Sequence, residues 1–233
     1  MAEKIRYTRR DLKGPDEFIS TFGRIVAWCK ENGTKVATAA SVVLAALVVA
    51  LATSAYFRWQ ESKAGAEIWP FLDQAREMLT APAGAAAPGG MADMEKSIAS
   101  LAEKHSGTRA ALYAQHYLGC IAFRRGDYEA SAARFRDAIR TGKDEGVLKY
   151  LLRNGLASSL EAKGDFQGAA ASYRDAAESA GPLLKAQARF DEGRALELAG
   201  KKADAAALYR KIVEENPETL QRDLIDIKTA HME

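Results

Sequence analysis

The residues best suited to metal ligation or nucleophilic attack are few and scattered. The chain has three histidines, His105, His116 and His231, and two cysteines, Cys29 and Cys120. No HExxH helix and no Cys/His ligand spacing joins them, so no metal site is expected. Cys120 falls among small and apolar residues of a helical stretch, where a thiol packs and stays inert. There is no P-loop and no GxSxG elbow. Gly84 and Gly89-Gly90 lie in a Pro/Ala-rich stretch with no strand before them, so they cradle no phosphate. Acidic and basic residues alternate along helix faces, as on a solvated surface. This distribution calls for no cofactor and argues against an enzyme.

The elements that would position any functional residue are written in a repeat. Leu118-Gly119, Gly126-Asp127-Tyr128, Phe135 and Ala138 mark one copy. Leu156-Ala157, Gly164-Asp165-Phe166, Ala169, Tyr173 and Ala176 mark a second. Gly193, Gly200, Ala205, Tyr209, Ile212 and Pro217 mark a third. The glycines at 126, 164 and 200 stand 38 and then 36 residues apart. A period of this size predicts stacked helical hairpins and a protein-binding scaffold. Composition agrees: hydrophobic residues make up 48%, much of it alanine, and aromatics 8%. Alanine favours helix and lets helices approach closely, so the fold class is all-α.

Val36 to Phe57 is a run of 22 residues without a charge. As helix it would be about 33 Å long, enough to cross a bilayer core. Tyr56, Phe57 and Trp59 cluster at one end, where an interfacial aromatic belt would sit, and Trp28 precedes the other. A cleaved signal peptide fits less well, because 35 residues precede the run, although Ala52-Thr53-Ser54-Ala55 is loosely cleavable. Thr8-Arg9-Arg10-Asp11-Leu12-Lys13 resembles a twin-arginine export signal, but a charged amphipathic segment separates it from the apolar run. A retained anchor is the reading adopted.

Charge sets the expected orientation. Residues 1–35 carry eight basic and five acidic residues, a balance of +3, whereas the remainder carries 25 and 26, a balance of −1. The basic lead should stay in the cytoplasm and residues 58–233 should be exported. A nearly neutral body gives no footprint for nucleic acid. With this topology Cys29 and Cys120 lie on opposite sides of the membrane and form no bridge. Within the lead, Asp16 to Lys30 reads as an amphipathic helix with Phe18, Phe22, Ile25 and Cys29 on one face, widened by Ile19 and Val26. Asp16 is its expected cap and Asn32-Gly33 its stop. It either lies on the membrane or a membrane partner, or serves as a plain lead-in to the span.

The repeated residues resemble the tetratricopeptide repeat, a unit of helix A, tight turn and helix B. Gly119 and Ala138 suit the crossing of A and B, and Phe135, Tyr173 and Tyr209 fill the space between hairpins. Gly126, Gly164 and Gly200 suit the left-handed residue that ends helix A. The resemblance covers residues 109–217 and shows departures. Gln115, Arg153 and Arg189 stand where a bulky residue is usual. Ser131 replaces alanine, Glu192 replaces leucine, and Lys201-Lys202 replaces Asp-Tyr. Before the clear repeats, Trp69, Leu72, Ala75, Arg76 and Leu79 give a helical pattern that would continue the membrane helix. Met91 to His105 gives another, with a surface loop over 81–90 between them. After Pro217, Leu220, Leu224, Ile225 and Ile227 suit a capping helix over 218–231. The domain organisation is therefore a cytoplasmic segment 1–35, a transmembrane helix 36–57, and an exported α-solenoid of tetratricopeptide-like hairpins over 58–233.

This layout resembles the ancillary subunit of the SecYEG translocon, a bacterial inner-membrane family. The resemblance implies a scaffold on the periplasmic face that assists secretory-protein translocation or folding. Its partners would be translocon subunits, a membrane-anchored periplasmic chaperone or isomerase, and exported clients, with lipid around the span. An adaptor for another envelope assembly, such as cytochrome c maturation, pilus or outer-membrane machinery, is the alternative.

The tetratricopeptide resemblance also implies a groove lined by helices A. Transfer of the repeat positions gives Tyr113, His116, Cys120, Phe123 and Arg124 from the first copy. The second gives Leu151, Asn154, Ser158 and Glu161, and the third gives Gln187, Phe190, Arg194 and Glu197. The set lacks a basic clamp for a terminal carboxylate. Phe123, Phe190 and Tyr113 are the expected anchors, because aromatic residues dominate such interfaces.

Overall fold

Alanine-rich amphipathic stretches punctuated by glycine fold into helices throughout. The computed structural model describes residues 17–82, 88–142 and 146–232, and among these every regular element is helical. The helices are α1 (Glu17–Glu31), α2 (Gly33–Thr80), α3 (Pro88–Lys104), α4 (Arg109–Arg124), α5 (Tyr128–Thr141), α6 (Val147–Lys163), α7 (Phe166–Glu178), α8 (Pro182–Leu198), α9 (Lys202–Glu215) and α10 (Arg222–Ala230). The chain divides into two compact units, Met1–Phe57 and Arg58–Glu233.

In the first unit α1 gives way to α2 at Asn32, whose side-chain amide donates to the Trp28 carbonyl at 3.1 Å. Asp16, the expected cap of α1, lies outside the described residues, as do the side chains of Phe18, Ile19 and Phe22. Ile25 and Val26 of that face are exposed. α2 contains the one stretch among the described residues long and apolar enough to cross a membrane. Its length and composition are those of a membrane anchor or a signal sequence. Val42, Val43, Leu44, Leu47, Val48 and Val49 are all exposed. The hydroxyls of Thr38 and Thr53 donate to the carbonyls of Thr34 and Val49, each at 2.8 Å. These hydroxyls are thus satisfied within their own helix, as a lipid environment favours.

In the second unit successive helices pack in chain order from α3 to α10, and α4 also touches α6. The end of α2 buries Ala64, Ile68, Leu72 and Ala75 against Met94 and Ile98 of α3 and Leu118 and Ile121 of α4. The hairpins are α4/α5, α6/α7 and α8/α9. Each first helix ends on a left-handed glycine, with φ of +83° at Gly126, +90° at Gly164 and +78° at Gly200. The residue after each reaches back five positions: Asp127 N to Ala122 O at 3.0 Å, and Asp165 N to Leu160 O and Lys201 N to Leu196 O, both at 2.9 Å. This paired closure satisfies carbonyls that the helix end would leave open. Asp127 and Asp165 then cap the following helix, accepting from Ala130 N at 3.1 Å and Gly168 N at 2.9 Å. Lys201 makes no such bond, the consequence of the departure at the third turn.

Close crossings account for the glycines at 119, 155 and 193. A Cβ on Gly119 would stand 2.6 Å from the Phe135 ring, one on Gly155 2.4 Å from the same ring, and one on Gly193 2.4 Å from Tyr209. Phe135 of α5 and Tyr209 of α9 therefore enter slots that only glycine leaves open. The capping helix differs from expectation. α10 buries Ile225, but Leu220 is 90% exposed, Leu224 46% and Ile227 57%. One turn of α10 faces the stack and the other apolar residues face outward.

Candidate functional site

A cleft of about 790 Å³ opens between the first and second hairpins. Its wall carries His116, Cys120, Phe123 and Arg124 from α4 and Leu151, Asn154 and Ser158 from α6. Helical spacing explains the grouping: 116, 120, 123 and 124 share one face of α4, and 151, 154 and 158 share one face of α6. Seven of the residues expected from the first two repeats are thereby brought together. Phe135 and Gly155 also line the cleft, and Phe123 meets Tyr128 with ring centroids 5.2 Å apart. Phe123 is 37% exposed and is the accessible aromatic of the set.

Among the described residues, Arg124 is the one charged side chain of the cleft wall. The guanidinium of Arg124 donates to the carbonyls of Leu79 and Ala81, the latter at 2.5 Å. It caps the C-terminal end of α2 and neutralises its dipole end. Burial pushes the His116 imidazole down to about 4 and the Cys120 thiol up to about 11. At neutral pH both are uncharged. A thiol held so high is a poor nucleophile. The cleft presents apolar, hydroxyl and amide groups.

The other expected residues sit elsewhere. Tyr113 packs on Trp69, with ring centroids 5.2 Å apart. Phe190 is 7% exposed and lies against Tyr209 in the core, so it is a packing residue and not an open anchor. Glu161 pairs with Arg194, which also meets Asp191 at 3.1 Å. Gln187 accepts from Gln221 at 2.6 Å, and Glu197 accepts from Lys228 of α10 at 2.7 Å. Contacts with Gln221 and α10 therefore occupy positions of the third repeat that the resemblance assigned to a ligand. Five lining residues were missed: Leu79, Ala81, Tyr128, Phe135 and Gly155. Tyr128 follows the turn glycine and Phe135 is the repeated aromatic, so both carried a signal. Leu79 and Ala81 come from outside the repeats and carried none.

The stack of glycine-stopped hairpins defines a class, the helical repeat scaffolds that bind other proteins. A family model described as a tetratricopeptide repeat-like domain matches residues 26–233. The chain belongs to that family. No curated protein matches it. Domains of this kind mediate protein–protein interaction.

Proposed function

We propose that the protein is a membrane-anchored scaffold, not a catalyst, that holds its repeat stack on the exported face of the bacterial inner membrane. There it assists secretory-protein translocation or folding beside the translocon. The observation that carries this reading is the exposed, uncharged run of α2 in a chain whose other unit is a tetratricopeptide-like stack. An exposed apolar helix of this length requires lipid around it. The Lys/Arg excess before the run supports an inward N-terminus. The resemblance in layout to the ancillary translocon subunit supports the choice of machinery.

The test is photocrosslinking in cells from a reactive residue placed at Trp59, just after the apolar run. Capture of translocon subunits is the expected result. Capture of components of another envelope assembly, with no translocon subunit, would move the scaffold to that assembly.

A further inference from the structure

A cavity of about 760 Å³ lies within the first unit, where α1 meets α2. Trp28 lines it from α1, and Ala39, Ala40, Val43 and Leu47 line it from one face of α2. Among the described residues, Lys35 is the one charged side chain of its lining. The junction at Asn32 keeps the helical register between the two elements. Asn32 N donates to Trp28 O at 2.9 Å, and Val36 N donates to Asn32 O at 3.0 Å. The small side chains of Ala39 and Ala40 leave a hollow between the Trp28 ring and the larger Val43 and Leu47. These walls are open to the outside: Trp28 is 57% exposed, Val43 68% and Leu47 53%. An apolar hollow this open is completed by something apolar that the chain does not supply.

Charge names the partner. Over residues 23–35, Arg24, Lys30 and Lys35 outnumber Glu31. Lys35 stands one residue before the uncharged run. At that depth a lysine stem lies along apolar surface while its ammonium reaches the headgroups, and tryptophan favours the same level. An acyl chain fits the hollow, and an anionic headgroup answers the ammonium above it. The volume falls within the roughly 300–1,000 Å³ of small-molecule sites. A second copy fits this face less well, because two-fold packing of like faces brings Lys35 toward Lys35.

We infer that the junction of α1 and α2 holds an anionic phospholipid of the surrounding bilayer, its acyl chain against Ala39 and Ala40 and its phosphate at Lys35. The inference rests on the membrane-anchor reading above and adds the chemistry of the lipid.

The test uses the purified full chain reconstituted in phosphatidylcholine vesicles. The probes are phosphatidylglycerol and phosphatidylcholine, each with a photoactivatable diazirine in one acyl chain and added as a trace. Adducts are mapped by peptide mass spectrometry. Phosphatidylglycerol should label residues 36–47 at least about threefold more than phosphatidylcholine does. Lys35→Gln should bring the two probes to near equality there, and Lys35→Arg should keep the preference. Ala39→Leu with Ala40→Leu fills the hollow without changing charge, and should remove the preference as well. Labelling of residues 48–57 by phosphatidylcholine should be alike in every chain, which guards against a variant that fails to insert. The lipid site is overturned if the wild-type chain shows no preference over residues 36–47, or if the Lys35→Gln and double-leucine chains both keep it. It is also overturned if residues 36–47 take neither probe while residues 48–57 take both, the pattern of a second copy on this face. Absence of labelling in both segments would overturn the anchor reading itself, and the lipid site with it.

Discussion

Ser131 Oγ on α5 lies 2.8 Å from Ser159 Oγ on α6, and both side chains are fully buried. Ser131 also reaches the Gly119 carbonyl at 2.9 Å, and Ser159 reaches the Gly155 carbonyl at 2.7 Å. Two hydroxyl protons are available to these three contacts, of which the Ser131–Ser159 contact joins the first hairpin to the second beside the slot that receives Phe135. The serine that departs from the usual alanine is matched across the hairpin boundary by another serine.

That match predicts coupling. Ser131→Ala and Ser159→Ala should each cost about 1 kcal/mol, and the double variant little more than either single one. Chemical unfolding of the full chain in detergent, followed by helical circular dichroism, measures this. Additive losses would show that the two hydroxyls act independently.

The Phe135 ring is held from both sides, so it cannot retreat from one glycine without approaching the other. Gly155→Ala should therefore destabilise by roughly 1–3 kcal/mol, outweighing the ~1 kcal/mol that alanine gains over glycine within a helix. Adding Phe135→Leu should recover part of the loss. Thermal midpoints of the two variants decide the matter, and a Gly155→Ala chain more stable than wild type would contradict the slot.

The third turn lacks the carboxylate cap of the first two. Lys201→Asp should stabilise by about 1 kcal/mol, through a bond to the backbone of the following turn and a better match to the helix dipole. Asp165→Ala should lose about as much. The pair of midpoints, measured side by side, tests whether the departure at Lys201 is a missing cap.

His116 predicts a pH dependence. Its folded value of about 4 lies below the ordinary 6.5, because burial penalises the imidazolium. Between these values the unfolded chain binds the proton and the folded chain does not. The contribution is therefore present above pH 6.5 and lost as pH falls toward 4. Its size is on the order of 3 kcal/mol. Unfolding curves across that window should steepen this loss in wild type relative to His116→Phe. Parallel curves would contradict a neutral, buried imidazole.

Glu192 has the opposite sign. Burial raises its carboxyl above the ordinary range, partly countered by Arg174, which meets it at 2.7 Å. A raised folded value means stability present at low pH and lost as pH rises through it. Glu192→Leu, the residue usual in this repeat, should raise the thermal midpoint at pH 7, since Arg174 is largely exposed and returns to water. The gain should shrink at pH 4. A lower midpoint at pH 7 would show that the pair stabilises the fold.

The repeats were legible because the same physical need recurs at a fixed interval. Gly126, Gly164 and Gly200 all close a helix, and Phe135 and Tyr209 fill slots left by Gly119, Gly155 and Gly193. Half of the cleft followed, since helical spacing places His116 and Phe123 on one face. Contacts that cross long stretches of chain leave no local mark. Glu61 on α2 accepts from Arg109 N at 2.9 Å and Ala110 N at 3.0 Å, capping α4 across 48 residues. Arg124 reaches the end of α2 in the same way. Phe190 was misjudged because its periodicity is that of a helix A face, while Tyr209 and Ile225 enclose it.

The central claim is that the repeat stack works outside the cytoplasmic membrane while tethered to it. A fusion of alkaline phosphatase after Glu233, expressed in cells and fractionated, tests it most directly. Active enzyme at full length in the membrane fraction is the predicted result. Inactive enzyme would place the stack in the cytoplasm, and active enzyme released as a shortened soluble chain would make the apolar run a cleaved signal; either contradicts the account.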